Sequence, residues 1–255
     1  MNLRPLTNIA ILLVEDNEMN TLLASAIIER TGAKITQADN GMDAIQLLRN
    51  QSFDLILMDL HLPVMDGFKT ACYIRKNLAL TIPIIAITAN VVNGEEHRCI
   101  EAGMNGFIAK PYTEKDLLDT IATCIPFRNG VAEKITTNAT PSSALYNLSF
   151  LEDVSGGNRD LLDRMILLFI EQAPAAVNQL KTAYNNHNFS EIHAIAHRMK
   201  PDIDNLNIVS LKDDIRKIES FAEQRKNGEA LKALIVNVDN TITQVVHKLK
   251  ANVFL

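Results

Sequence analysis

At 255 residues the chain is longer than most single domains, so two compact units, each with its own core, are the first expectation. Hydrophobic residues make up 47% and charged residues 22%, which excludes a disordered or fibrous chain. The formal charge of −5 lies wholly in residues 1–125 and no basic stripe occurs, so a nucleic-acid partner is not expected.

Residues 1–8 lack the features of a secretory signal, and the longest apolar run near the start, residues 9–14, is far short of the roughly 20 residues that cross a bilayer. The reading is a cytoplasmic protein without direct membrane insertion. Cys72, Cys99 and Cys124 are odd in number and share no ligand-like spacing, so they are expected to be reduced structural thiols.

Short apolar runs then alternate with amphipathic stretches. Strands are expected at 9–14, 35–38, 55–58, 84–87 and 107–109, and helices at 19–30, 42–50, 68–76, 95–102 and 114–124. This βαβ rhythm predicts an α/β fold with a doubly wound, five-stranded parallel sheet. Such sheets bind ligands beyond the carboxyl ends of their strands. Four polar clusters stand there: Glu15 and Asp16 after the first strand, Asp59 at the end of the third, Thr88 at the end of the fourth, and Lys110-Pro111 after the fifth.

Asparagine, threonine, serine, glycine and proline accumulate over 126–147, which reads as a linker. Beyond it the pattern is helical throughout, with spans at 159–183, 190–206, 209–223 and 229–251 and a short helix at 150–154, as expected of an all-α four-helix bundle. Pro174 is expected to kink the first long helix.

The three carboxylates of Glu15, Asp16 and Asp59 repel one another unless a cation lies among them. A hard divalent ion resolves that, and Mg²⁺, with Mn²⁺ as the substitute, suits oxygen ligands. Lys110 and the Thr88 hydroxyl would then serve a transferring phosphoryl group, with Asp59 as nucleophile. Any one of these acids taken alone fits an ordinary helix cap or a solvated surface carboxylate.

In the second half, Ile192, Ile195, Ala196, Met199, Ile203 and Leu206 form an apolar helical face, which turns His193, His197, Lys200, Pro201 and Asp204 outward. An outward imidazole with a lysine three residues on could take up a phosphoryl group and offset its charge, and no acid is expected beside it. A surface His–Lys pair is also common without function.

Residues 6–125 resemble a response-regulator receiver domain, through LLVEDNEMN, LILMDLHLPVMDGFKTACYIR, IPIIAITAN and EAGMNGFIAKP. That resemblance implies a flavodoxin-like fold with Asp59 as phosphoacceptor, and a metal held by Glu15, Asp16, Asp59 and the backbone carbonyl of His61. It also implies Thr88 and Lys110 as the switch hydroxyl and lysine, and Phe107 at the switch aromatic position. Residues 148–255, with AHRMKP, resemble a histidine phosphotransfer (HPt) domain with His197 as phosphoacceptor and Lys200 as the nearby cation. Pro201 and Asn207 stand where that family's pattern has glycine, and Asp202 and Asp204 add negative charge close by.

Together these readings give a two-component phosphorelay protein, as in hybrid sensor kinases. Its partners would be a histidine kinase and other receiver or HPt domains. No kinase catalytic domain is expected in this chain, so it would not be an enzyme beyond receiver autophosphorylation and autodephosphorylation. Two other readings compete: a receiver-controlled protein-interaction module whose helical half stays unphosphorylated, and a Mg²⁺-dependent phosphatase-like sink. Stimulus, cognate kinase, direction of phosphate flow and oligomeric state are not encoded in these patterns.

Overall fold

A computed structural model describes residues 6–88, 95–125 and 145–253, the side chains of 252 and 253 excepted. The chain divides into two compact units, Met1–Asn138 and Ala139–Leu255. Residues 126–144 of the expected linker lie outside the described residues, as do Ala89 and Asn90 of the TAN motif.

The first unit alternates strand and helix: β1 (Ala10–Val14), α1 (Glu18–Glu29), β2 (Lys34–Ala38), α2 (Gly41–Asn50), β3 (Leu55–Asp59), α3 (Gly67–Lys76), β4 (Ile84–Thr88), α4 (Glu95–Glu101), β5 (Gly106–Ala109) and α5 (Glu114–Cys124). All four strand pairings are parallel and the order is β2-β1-β3-β4-β5. This is the doubly wound, flavodoxin-like order, and its switch point lies between β1 and β3, where the chain turns to opposite sides of β1.

Burial follows from that order. The central strands β3 and β4, LILMD and IIAIT, are buried at every position, whereas the edge strands β2 and β5 are only partly covered. A strand enclosed on both faces needs a continuous apolar run, which is what these sequences supply. Alternate residues face opposite layers. Leu12, Val14, Ile56, Met58, Ile84 and Ala86 pack with Ala44 and Leu48 of α2 and Ala71 and Ile74 of α3. On the other elements, α1 and α5 are tied together by Arg30 and Glu114 at 2.7 Å.

The second unit holds α6 (Ser149–Ser155), α7 (Arg159–Asn185), α8 (Phe189–Asn205), α9 (Val209–Glu223) and α10 (Glu229–Val253). The four long helices pack each against the next in sequence, and α10 returns to α7 to close the ring. Among the described residues, no helix is long and apolar enough to cross a membrane.

The left-handed residue that ends each of α7, α8 and α9 is not glycine but His187 (φ 52°), Asn207 (φ 48°) and Arg225 (φ 50°), and Gly228 (φ 151°) follows in the last of these turns. The amides of Asn188, Ile208 and Lys226 reach back to the carbonyls of Ala183, Ile203 and Phe221 at 2.9, 2.9 and 2.8 Å. These bonds satisfy carbonyls orphaned at each helix end, the Schellman arrangement. Pro174 in α7 and Pro201 in α8 lack the N–H that a helix interior uses, yet each helix continues through its proline as one element. The Asn147 N–H donates to the Leu206 carbonyl at 2.9 Å, so the last expected linker residue is fastened to the helical unit.

Candidate functional site

In the first unit the strand-end clusters converge at the switch point. Asn17 caps α1 by accepting from the Asn20 amide, which starts the helix directly after Glu15 and Asp16 and leaves both acids beyond β1. Asp59, 6% exposed, is the last residue of β3. Its backbone is pressed by Gly67: a Cβ there would stand 2.2 Å from the Asp59 carbonyl oxygen, so any side chain at 67 would displace the turn. The His61 N–H donates to Asp59 Oδ1 at 2.9 Å, which orients the carboxylate.

Carboxylate oxygens of Glu15, Asp16 and Asp59 lie within 4.8 Å of one another. The Lys110 ammonium donates to Asp59 Oδ2 at 2.5 Å and to Glu15 Oε2 at 2.6 Å. Glu15 also accepts from Asn20 Nδ2 at 3.0 Å. Burial pushes the Glu15 carboxyl up to about 7, against the lowering effect of Lys110. Burial acts the same way on Asp59, but the Lys110 charge and hydrogen bond, with the His61 amide, bring it below the ordinary carboxylate value. Lys110 is raised in turn: the charges of Asp59 and Glu15 outweigh its desolvation.

Around this centre the other expected residues take distinct places. Thr88 ends β4, 2% exposed, and its hydroxyl donates to Glu95 Oε2 at 2.6 Å. The other oxygen of Glu95 is 3.8 Å from His61 Nε2, and the His61 imidazole is 41% exposed. Phe107 pairs in register with Ala86 and is half-buried against the core. Glu95 was not legible beforehand, because nothing in its local pattern announces a partner seven residues back across a turn.

A second cluster lies in the helical unit. His197 and Lys200 are half-buried on one face of α8, and both reach Glu219 of α9. Glu219 Oε1 is 2.7 Å from His197 Nδ1, and both its oxygens are 2.8 Å from Lys200 Nζ. The expectation of no acid beside His197 is therefore corrected. Burial would raise the Glu219 carboxyl, but the hydrogen bonds from His197 and Lys200 and the lysine charge bring it down to about 2. His193, one turn before His197, stacks on it with ring centroids 6.3 Å apart and planes 8° from parallel. Asp204 is neutralised by Arg216 at 2.7 Å, so its charge does not stand bare beside the histidine.

The model for the response regulator receiver domain matches residues 11–122, the span that carries the Asp59 cluster. These residues are a receiver domain. Sensor histidine kinases contain similar sequence. GacS of Pseudomonas protegens is 25% identical over 250 residues, 95% of this chain and 27% of GacS. The hybrid signal transduction histidine kinase M of Dictyostelium discoideum is 40% identical over 107 residues, 40% of this chain and 4% of that protein.

Among solved structures, the receiver domain of a sensor histidine kinase from Pseudomonas aeruginosa, crystallised with magnesium in its active-site cleft, is 37% identical. It covers 46% of this chain and 98% of that one, with a TM-score of 0.43. The chain spans about a quarter or less of the length of the first curated relatives it matches. The receiver domain is thus homologous to those of hybrid sensor kinases.

Proposed function

We propose that the chain is a phosphorelay protein: the receiver accepts a phosphoryl group on Asp59 from a histidine kinase, and the helical unit acts as an HPt domain that exchanges it on His197. The observation that carries this reading is one that recurs in both units. Each holds a candidate acceptor close to a lysine that is largely withdrawn from solvent: Asp59 at 2.5 Å from Lys110, and His197 sharing Glu219 with Lys200. A lysine placed so can neutralise charge that develops on a phosphoryl oxygen.

The donor set of Glu15, Asp16 and Asp59 is entirely carboxylate oxygen, and it fits a hard divalent ion. In the proposed site these side chains and the His61 carbonyl hold Mg²⁺, or Mn²⁺ in its place. The ion would supply charge neutralisation for the phosphoryl group. Asp59 supplies the nucleophilic oxygen, Thr88 a hydroxyl donor, and Lys110 a cation that exchanges carboxylate contacts for the incoming phosphoryl. Phe107, half-buried next to this edge of the sheet, would follow the movement of Thr88.

The alignment with GacS extends over 95% of the chain and so includes the helical unit, which supports a relay arrangement of the kind found in hybrid kinases. In this reading the chain carries phosphoryl groups in the cytoplasm between a kinase and further receivers or HPt domains, and it hydrolyses no nucleotide.

Labelled phosphate from a donor histidine kinase tests the scheme on the full chain. Base-labile label on Asp59 and acid-labile label on His197 are expected, each abolished by Asp59→Asn or His197→Gln respectively. Unchanged labelling in both variants would sink it.

A further inference from the structure

We infer that His193 and His197 form a two-imidazole site for a borderline divalent metal, Zn²⁺ in the first instance, and that the bound metal withholds His197 from phosphoryl transfer. The site stands on the geometry of α8; only its effect on transfer rests on the phosphotransfer reading of His197.

The two histidines lie four residues apart on α8 and both are half-buried. Four residues of helix carry the second ring about 6 Å along the axis past the first. The ring centroids stand 6.3 Å apart with planes 8° from parallel, so both rings leave the helix on the same side. Histidines at this i, i+4 spacing hold zinc on the helices of metalloproteases. Zinc–nitrogen bonds of about 2.0–2.1 Å place two ligating nitrogens roughly 3.3 Å apart, closer than the centroids are, so one ring must turn toward the other. Glu219 Oε1, 2.7 Å from His197 Nδ1, fixes that ring and leaves the metal to Nε2. His193 is the ring that turns, about its Cβ–Cγ bond, a torsion that is soft in an imidazole.

Ligand type selects the ion. Imidazole nitrogen suits zinc, copper and nickel, whereas Mg²⁺ takes oxygen donors such as those of Glu15, Asp16 and Asp59. The ammonium of Lys200, one turn beyond His197, is 2.8 Å from both oxygens of Glu219, which offset its charge. A carboxylate on the far nitrogen of a ligating histidine is also the usual support of a metal-bound imidazole. Structural zinc sites use four protein ligands; two imidazoles leave the remaining positions to water, which makes the metal exchangeable.

Coordination and transfer then compete for one atom. The Zn–N bond uses the Nε2 lone pair of His197, the pair that would form the N–P bond, so an occupied site takes no phosphoryl group until the metal leaves. Zinc acts on the helical unit as an inhibitor, with the hard-ion site of the receiver left to Mg²⁺.

The binding test uses the full chain labelled with ¹⁵N-histidine and titrated with Zn²⁺ in excess Mg²⁺, the His193 and His197 signals being assigned by their loss in His193→Gln and His197→Gln. Both rings are expected to shift with one shared midpoint, and His193→Gln to raise the His197 midpoint by at least about tenfold. Absent shifts, separate midpoints for the two rings in wild type, or a His197 midpoint indifferent to His193→Gln would each overturn the site. The shared midpoint is read in wild type and stands even where a variant fails to fold.

Transfer is followed after priming Asp59 with acetyl phosphate and Mg²⁺, each protein being compared with its own zinc-free rate. At ten times the wild-type midpoint, labelling of His197 should slow about tenfold in wild type and about twofold or less in His193→Gln. Equal slowing in both would overturn the inhibition. A chain that binds zinc through both rings but takes no label on His197 without the metal would remove the phosphotransfer reading, and the inhibition with it, and leave the metal site standing.

Discussion

Lys110 shows most directly how single residues hold the receiver site together. Its side chain is 9% exposed and lies between two carboxylates that are themselves almost fully buried. Removing one member of such a set leaves uncompensated buried charge, which typically costs about 3–5 kcal/mol. Lys110→Ala should therefore lower the urea midpoint of the receiver in the absence of divalent ions, and Mg²⁺ should restore part of the loss. A variant as stable as wild type without the metal would show that Lys110 does not neutralise Glu15 and Asp59. Glu219 makes a matching case in the helical unit. Its folded value of about 2 lies below the ordinary 4.5, so the carboxylate favours the folded state above pH 4.5 and that contribution is lost as pH falls toward 2. At neutral pH, with solvent screening of this partly exposed pair, it is on the order of 1 kcal/mol. The stability gap between wild type and Glu219→Gln, measured by urea unfolding, should narrow across that window; a constant gap would contradict it. Glu15, Asp16, Asp59, Thr88 and Lys110 were legible as a group because each directly ends or follows an apolar strand. Glu219 was not, because its meaning depends on which turn of α9 meets His197, and helical periodicity states only that the residue faces neither the core nor open water.

At the scale of elements, periodicity located every strand and helix of the described residues to within a few positions, because buried strands and amphipathic helices must carry their apolar residues at fixed spacings. What it could not convey is how the ends of elements engage. The start of α4 presents Glu95 to Thr88 at the end of β4, and the 2.6 Å bond commits the Thr88 hydroxyl to a carboxylate. A phosphoryl group on Asp59 would have to draw Thr88 away from it. A hydrogen bond to a charged group contributes about 1.5–3 kcal/mol, enough to weigh on the equilibrium between the two arrangements. Glu95→Ala should accordingly raise the phosphorylated fraction at a fixed subsaturating concentration of acetyl phosphate, by about tenfold if that whole difference is expressed. An unchanged or lower fraction, read by intact-mass spectrometry, would mean that Glu95 does not hold the unphosphorylated arrangement. Pro174 and Pro201, where a kink is the local expectation, both lie inside unbroken helices, and the apolar faces of α7 and α8 are long enough for tertiary packing to carry each helix past its missing donor.

On the scale of the whole chain, the composition shift over 126–147 separates two patterns, short apolar strands alternating with amphipathic helices before it and helical period alone after it, and each unit buries its own apolar residues. Leu57, Ile85 and Ile87 are inaccessible in the receiver, and Leu180, Ile215 and Val238 are inaccessible in the helical unit. Separate cores predict separate cooperative transitions, since two-state behaviour belongs to single domains. A divalent ion gives the means to tell them apart, because a ligand stabilises only the unit whose folded form binds it. At ten times its dissociation constant it adds about 1.4 kcal/mol to that unit. Calorimetry of the full chain should therefore show two transitions, of which Mg²⁺ raises one. Asp59→Asn, which removes a carboxylate from the cluster, should weaken that shift, and His197→Gln should leave it in place. One merged transition that moves as a whole with Mg²⁺ would instead mean that the units unfold as a single cooperative body, coupling the acidic cluster energetically to the helices that carry His197.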